Sequence, residues 1–280
     1  MGLAQCSAVC MGTLNRPTCQ FFLPKQAHLS CLTRLIRWRH IVPQLKDKIS
    51  LFIPELPGYG FSSLPPKSDK RTVGNLIFEA LQDVFGKDRP VIYCGHDRGA
   101  RVGHRLIVDN NPAHNIKSAI LMDIVPTLEQ FRAFANPKAV IEQMGGGYWT
   151  EANLARVKGG NEQGIASFKK DGAWDHYCYQ FSMPDCISGS CADYQAGATI
   201  DVEEQEADQE AGRMLKIPTF VIYSASNLGR MHDVPEVWEK WNDGELKTYG
   251  VPDGYGHFLP EECPDIIAQK VIERIDDVGK

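Results

Sequence analysis

The stretch VIYCGHDRGARVGHRLIVDNN, Val91 to Asn111, runs from apolar residues through an aspartate between two glycines into an amphipathic pattern. Gly95-x-Asp97-x-Gly99 has the form of a nucleophile elbow, whose central residue sits on a strained turn between strand and helix. Side chains at the flanking glycines would collide with the strand and helix that meet there. The helix beginning near Gly99 offers unpaired N–H groups and a positive dipole end, both favourable to an ionised carboxylate. Such a carboxylate needs no base before attack. It can displace a leaving group from sp3 carbon and become an alkyl ester. A histidine is suited to activate the water that then hydrolyses the ester. Asp97 therefore points to cleavage of carbon–halogen or epoxide C–O bonds, not to esterase or peptidase chemistry.

Of eight histidines, His257 in GYGHF is the one placed late in the chain on a glycine-rich loop after a strand. It is the candidate base. Two acids could orient it. Asp123 in LMDIVPT ends the strand after the elbow helix. Asp233 lies beyond a later strand, but it directly precedes VPEVW, where it would make a good helix N-cap. Asp123 is preferred and Asp233 stays open. Arg98 and Arg101 lie beside the nucleophile and one helical turn along it. Together they could clamp a small carboxylate, or they could pair with acids such as Asp193.

The elements that must position these groups alternate in type. Leu35 to Leu45 reads as a short helix with Trp38, Ile41 and Leu45 on one face, and ISLFIPEL as a buried strand. TVGNLIFEALQDVFG reads as a helix with Leu76, Ala80, Leu81 and Val84 on its apolar side, stopped by Gly86. PVIYC, KSAILMDIVP, IPTFVIYSAS and LKTYGVP are further strands, each followed by helical pattern or helix signals. Residues 128–200 break that rhythm with mixed helix and aromatics. This arrangement predicts an α/β fold with a mostly parallel central sheet and a helical insertion. The expected division is an atypical segment 1–34, core 35–127, helical cap 128–200 and core 201–280. The acidic run DVEEQEADQE reads as a solvated helix face.

Net charge is −5 over 280 residues, and no basic stripe suited to nucleic acid is present. Nine cysteines, scattered, suit reduced thiols in the cytoplasm. Cys186 and Cys191 form a C-x4-C pair with no second pair to complete a zinc site. No apolar run approaches the ~20 residues that span a bilayer. The first residues lack a cationic start and a long apolar middle. They come near a myristoylation signal, but Cys6 stands where Ser or Thr belongs, so an unstructured leader is expected.

GHDRGARVGHRL, LMDIVPT, CADYQAGATID, EADQEAGRMLKIPTFVIY and GHFLPEECPD together resemble the fluoroacetate dehalogenase group of the α/β-hydrolase fold, relatives of epoxide hydrolases. The likeness runs from about Trp38 to the C-terminus, with a gap in the cap. It implies that Asp97 attacks, His257 activates water and Asp123 supports His257. It also implies that Arg98 and Arg101 hold the substrate carboxylate and Tyr194 lines the halide pocket. No metal or organic cofactor is needed, the substrate is a small haloacid, and a homodimer is implied. Two departures stand out. The family's His-Gly-x-Pro oxyanion turn is absent from FFLPKQAHLSCLTRLIRW. Its His-Trp halide pair is skipped in FANPKAVIEQMGGGYW, which shortens the cap. The alternatives are an epoxide hydrolase, with Tyr194 protonating the epoxide oxygen, and a catalytically weakened binding protein.

Overall fold

The computed structural model describes residues 8–13, 35–134 and 170–278. In chain order, β1 is Ala8–Thr13, α1 Leu35–Trp38, α2 Val42–Leu45 and β2 Ser50–Phe52. Next come α3 Lys70–Phe85, β3 Val91–His96, α4 Arg98–Asp109, β4 Ile116–Met122 and α5 Thr127–Phe134. Three helices follow: α6 Ala173–Ser182, α7 Pro184–Ala198 and α8 Ile200–Glu210. The chain then forms β5 Thr219–Ser224, α9 Leu228–Met231, α10 Val234–Glu239, β6 Leu246–Val251, α11 Leu259–Glu262 and α12 Pro264–Val278.

The strands form one sheet in the order β2-β1-β3-β4-β5-β6. β3, β4, β5 and β6 pair in parallel, as the alternation predicts. β1 is antiparallel to both neighbours, so residues 8–13 are a sheet strand and not the unstructured leader expected. Alternate strand residues face opposite ways. Tyr93, Ala119, Leu121 and Val221 join one buried cluster with α3, α4 and the tryptophans 238 and 241. Ile92, Cys94, Ile120, Met122 and Ile222 join another with Trp38, Ile41 and Leu45 and with Ile267 and Val271 of α12. Burial on both faces is why these strands read as continuous apolar runs. The predicted apolar face of residues 35–45 is correct, although the helix is broken into α1 and α2.

Two expectations need correction. α3 is capped by Asp69, which accepts from the Thr72 N–H at 2.8 Å, and ends at Gly86 with φ 81°. Its buried face, however, is Val73, Ile77, Phe78 and Leu81, while Ala80 and Val84 are exposed. Two apolar stripes one residue apart run along this helix, and the one bearing the bulkier Ile77 and Phe78 is the one that docks.

The acidic run is helical in α8, but one stripe of it is buried: Asp201, Gln205 and Asp208. Asp201 accepts from the Lys70 backbone N–H at 2.9 Å and from Lys70 Nζ at 3.0 Å. Gln205 Oε1 accepts from the Leu128 N–H at 2.8 Å. Asp208 pairs with Arg105 and, at 2.7 Å, with Arg213. Opposite charges on α3 and α4 turn a polar stripe into a docking face, which the run alone cannot reveal. Lys70 also donates to Asp193 at 2.6 Å, so one buried ammonium joins two carboxylates from α7 and α8. Lys70→Met is expected to destabilise the fold by about 3–5 kcal/mol, because two buried carboxylates lose their shared cation. Urea denaturation checks this, and a loss under ~1 kcal/mol contradicts it.

Candidate active site

The parallel register builds the site. His96 of β3 pairs with Met122 of β4, and Met122 pairs with Ile222 of β5. The next residues, Asp97 and Asp123, therefore emerge side by side at the C-terminal ends of the strands, where such sheets carry their sites. Asp97 has φ 49° and ψ −115°, a strained backbone for a residue with a side chain, between β3 and α4. A Cβ at Gly95 would lie 2.6 Å from the Gly99 carbonyl group, so the tight packing of strand on helix requires glycine there. Asp97 occupies the N-cap position of α4, yet its side chain makes no capping hydrogen bond. Asp97 is 3 % exposed, and its carboxylate faces the imidazole of His257, with Oδ2 3.7 Å from Nε2.

His257 Nδ1 lies 2.7 Å from Asp123 Oδ2. Asp123 Oδ1 accepts from the backbone N–H and the hydroxyl of Ser224, each at 2.7 Å. The carboxylate only accepts, so Nδ1 carries the donating proton and Nε2 is the atom turned to Asp97. Asp233 does not reach the histidine. It caps α10 by accepting from the Glu236 N–H at 3.1 Å. Glu262 accepts from the backbone N–H groups of Gly256 and, at 2.9 Å, Phe258, bracketing the loop that bears His257.

Charge reinforces this geometry. Burial pulls the His257 imidazole down, but its contacts with Asp123 and Asp97 outweigh that and bring it up to about 10. Burial pushes the Asp97 carboxyl up, but His257 and Arg98 together hold it well below the usual carboxylate range. Both shifts favour a negative Asp97 facing a positive His257.

The two arginines differ. Arg98 Nε is 3.2 Å from Asp193 Oδ2, and its guanidinium stacks on the Tyr194 ring at 3.6 Å. Asp193 also accepts from the Tyr59 hydroxyl at 2.7 Å as well as from Lys70. The alternative pairing of Arg98 with a cap acid is therefore present. Arg101 donates to the Val125 carbonyl at 3.2 Å and to Thr127 Oγ1 at 3.1 Å, and the described residues give it no ion pair. Burial and the neighbouring Arg98 push it down to about 10.

Sequence patterns missed several groups at the site. Ser224, at the end of β5, was accessible by the strand-end rule. Glu262, Lys70 and the Arg37–His96 contact, 2.8 Å, had no local signal. The missing oxyanion turn concerns a stretch of which residues 21–34 lie outside the described residues. The missing halide pair concerns a stretch of which residues 135–149 do as well.

No family model matches the chain. It is 28% identical to a fluoroacetate dehalogenase from Burkholderia sp. over 263 residues, covering 86% of this chain and 83% of that protein. It is 25% identical to a soluble epoxide hydrolase from a Corynebacterium species over 254 residues, covering 84% of each. A solved Nostoc structure described as an α/β hydrolase superposes with a TM-score of 0.66 at 28% identity, over 87% of each chain. A Pseudomonas aeruginosa structure described as an epoxide hydrolase gives 0.69 at 23% identity, over 97% and 93%, a likeness of fold. Among the described residues no helix is long and apolar enough to cross a membrane. With a mostly parallel sheet, an elbow at the C-terminal end of its interior strand β3 and these relatives, the chain is an α/β-fold hydrolase of the superfamily group that contains the fluoroacetate dehalogenases and epoxide hydrolases.

Proposed function

We propose that the protein hydrolyses small 2-haloacids of the fluoroacetate type through an ester on Asp97. The observation that carries this is a buried carboxylate on a strained elbow, 3.7 Å from an imidazole that a second carboxylate holds at 2.7 Å. An Asp97 oxygen attacks the carbon bearing the halogen, the carbon–oxygen bond forms, and halide leaves with the bonding electrons. Esterification removes the charge on Asp97. One of the two carboxylates that raise His257 is then gone, so its proton is released more easily. The neutral Nε2 takes a proton from water as the water adds to the ester carbonyl, with Asp123 holding Nδ1. Collapse expels the alkoxide, which takes the remaining proton of the added water, so the 2-hydroxy acid leaves and the Asp97 carboxylate and protonated His257 are restored. The N–H of Arg98, first in α4, is the elbow's own oxyanion donor.

Arg101 is the receptor for the substrate carboxylate, because Asp193 already balances Arg98. Arg101→Leu is expected to lower kcat/KM for fluoroacetate about 10–100-fold, mostly through KM, for the loss of a charge-assisted contact. Steady-state fluoride release measures this, and an unchanged KM removes Arg101 from that role. The described helices α6 and α7 belong to the proposed cap, residues 128–200, and Tyr194 of α7 fixes Arg98 on its substrate side. A homodimer is part of the proposal, and light scattering tests it.

A second reading is favoured by that same Asp193–Arg98 pair, which leaves less positive charge for an anion, and by the likeness to the soluble epoxide hydrolase. Incubation with fluoroacetate and with styrene oxide separates the two. Fluoride supports the haloacid reaction, and diol alone supports epoxide opening. With neither product, the site is catalytically weakened.

A further inference from the structure

His96, directly before the elbow aspartate, takes no part in the chemistry above. It is fully buried and lies in phase with Ile92 and Cys94, so its ring turns to the face of the sheet covered by α1, α2 and α12. There its Nδ1 is 2.8 Å from Arg37 NH1, and its Nε2 is 2.7 Å from the backbone carbonyl of His257. The two imidazoles are in contact, with ring centroids 4.8 Å apart.

The partners dictate the protonation of this ring. A guanidinium can only donate, so Nδ1 accepts and carries no proton. A carbonyl can only accept, so Nε2 carries the proton. Both nitrogens are assigned and the ring is neutral. The charged groups facing it are His257, Arg37 and Asp97. Burial first, then His257 and Arg37, push its pKa well below the ordinary value, and Asp97 opposes them without reversing the shift.

We propose that His96 is a positioning residue, a neutral imidazole locked by Arg37 as the Nε2–H tautomer, which grips the main chain of His257 and sets the reach of that base toward Asp97. The consequence for hydrolysis rests on the ester chemistry proposed above; the tautomer lock does not. The gripped carbonyl lies just after Gly254 and Gly256 and also accepts from the Leu259 N–H at 3.0 Å, while Glu262 holds the N–H groups of Gly256 and Phe258, so His96 adds the contact that comes from β3. Protonation of Nδ1 would set an imidazolium against a guanidinium and break the contact with Arg37 that holds the ring in place.

The test has two arms. In histidine-labelled whole protein, nitrogen NMR should show one imidazole with a bare Nδ1 and a protonated Nε2, unchanged from about pH 5 to 8. Loss of that signal in His96→Gln assigns it. Titration within that window, or an Nδ1–H tautomer, overturns the proposal. The second arm follows the ester made with fluoroacetate. His96→Leu should slow its hydrolysis about 100-fold while ester formation changes far less, as expected for a base displaced by about 1 Å. His96→Gln, whose side-chain N–H can still reach the carbonyl, should recover most of the rate. Equal slowing in both variants, or an unchanged ester lifetime in His96→Leu, overturns the positioning role. If no ester forms on the parent or on His257→Gln, the nucleophile reading has failed, and the NMR arm alone decides His96.

Discussion

Asp97→Asn is expected to lower turnover of fluoroacetate by about 10^4-fold or more, with the fold intact. The size follows from the role. An amide has no charge to drive displacement at carbon, and no neighbouring carboxylate stands in its place on the elbow. Asp123 is engaged by Ser224 and by His257, and Asp193 is held by Lys70, Tyr59 and Arg98. Asparagine is nearly isosteric with the aspartate that already holds φ 49° and ψ −115°, so the elbow keeps its shape. His257 in the variant loses one of the charges that raise it and titrates lower than in the parent. Fluoride release, thermal unfolding and histidine NMR read these three outcomes. Activity within about tenfold of the parent excludes Asp97 as the attacking group.

His257→Gln should separate the two halves of the reaction. Ester formation needs Asp97 and a bound substrate, and neither depends on a base. The variant should therefore release fluoride in a burst of one equivalent per site and then slow about 10^2–10^4-fold. Mass spectrometry of the Asp97 peptide should find the carboxymethyl ester. A burst without adduct, or steady turnover, contradicts the assignment. The pH dependence has two opposite signs. In the ester the imidazole must be neutral, so hydrolysis rises with pH through the pKa that His257 has once Asp97 is uncharged. In the resting protein the folded pKa, about 10, lies above the ordinary 6.5. That contribution to stability is complete below 6.5 and is lost as pH rises through 10. The parent should lose thermal stability across this alkaline window, and His257→Gln should lack that part of the decline.

The relation between Arg98 and Asp193 bears on both outcomes. The two residues lie 95 positions apart, and their contact, with Tyr194 stacked on the guanidinium, links the elbow helix to the helices between β4 and β5. Lys70 ties the same carboxylate to α3. Charge near the nucleophile is therefore set by groups from four helices, α3, α4, α7 and α8, and not by the elbow sequence alone.

The sequence by itself determined the local events. Gly95 and Gly99 around Asp97 announced a strand-to-helix turn, and at Gly95 only glycine lets the two backbones approach so closely. Uninterrupted apolar runs announced parallel strands covered on both faces, and their ends located Asp97 and Asp123. Asp69 and Gly86 marked the two ends of α3, since caps act within a few residues. Tertiary structure alone decided which distant groups meet. It chose Asp123 over Asp233 for His257, turned α3 by one residue from its predicted face, buried Asp201, Gln205 and Asp208, inserted β1 antiparallel, and set His96 against the His257 carbonyl. The physical reason is one of range. Turn and cap preferences arise from backbone sterics and hydrogen bonds within one or two turns. A buried charge or a gripped carbonyl takes its partner from an element that only packing brings near.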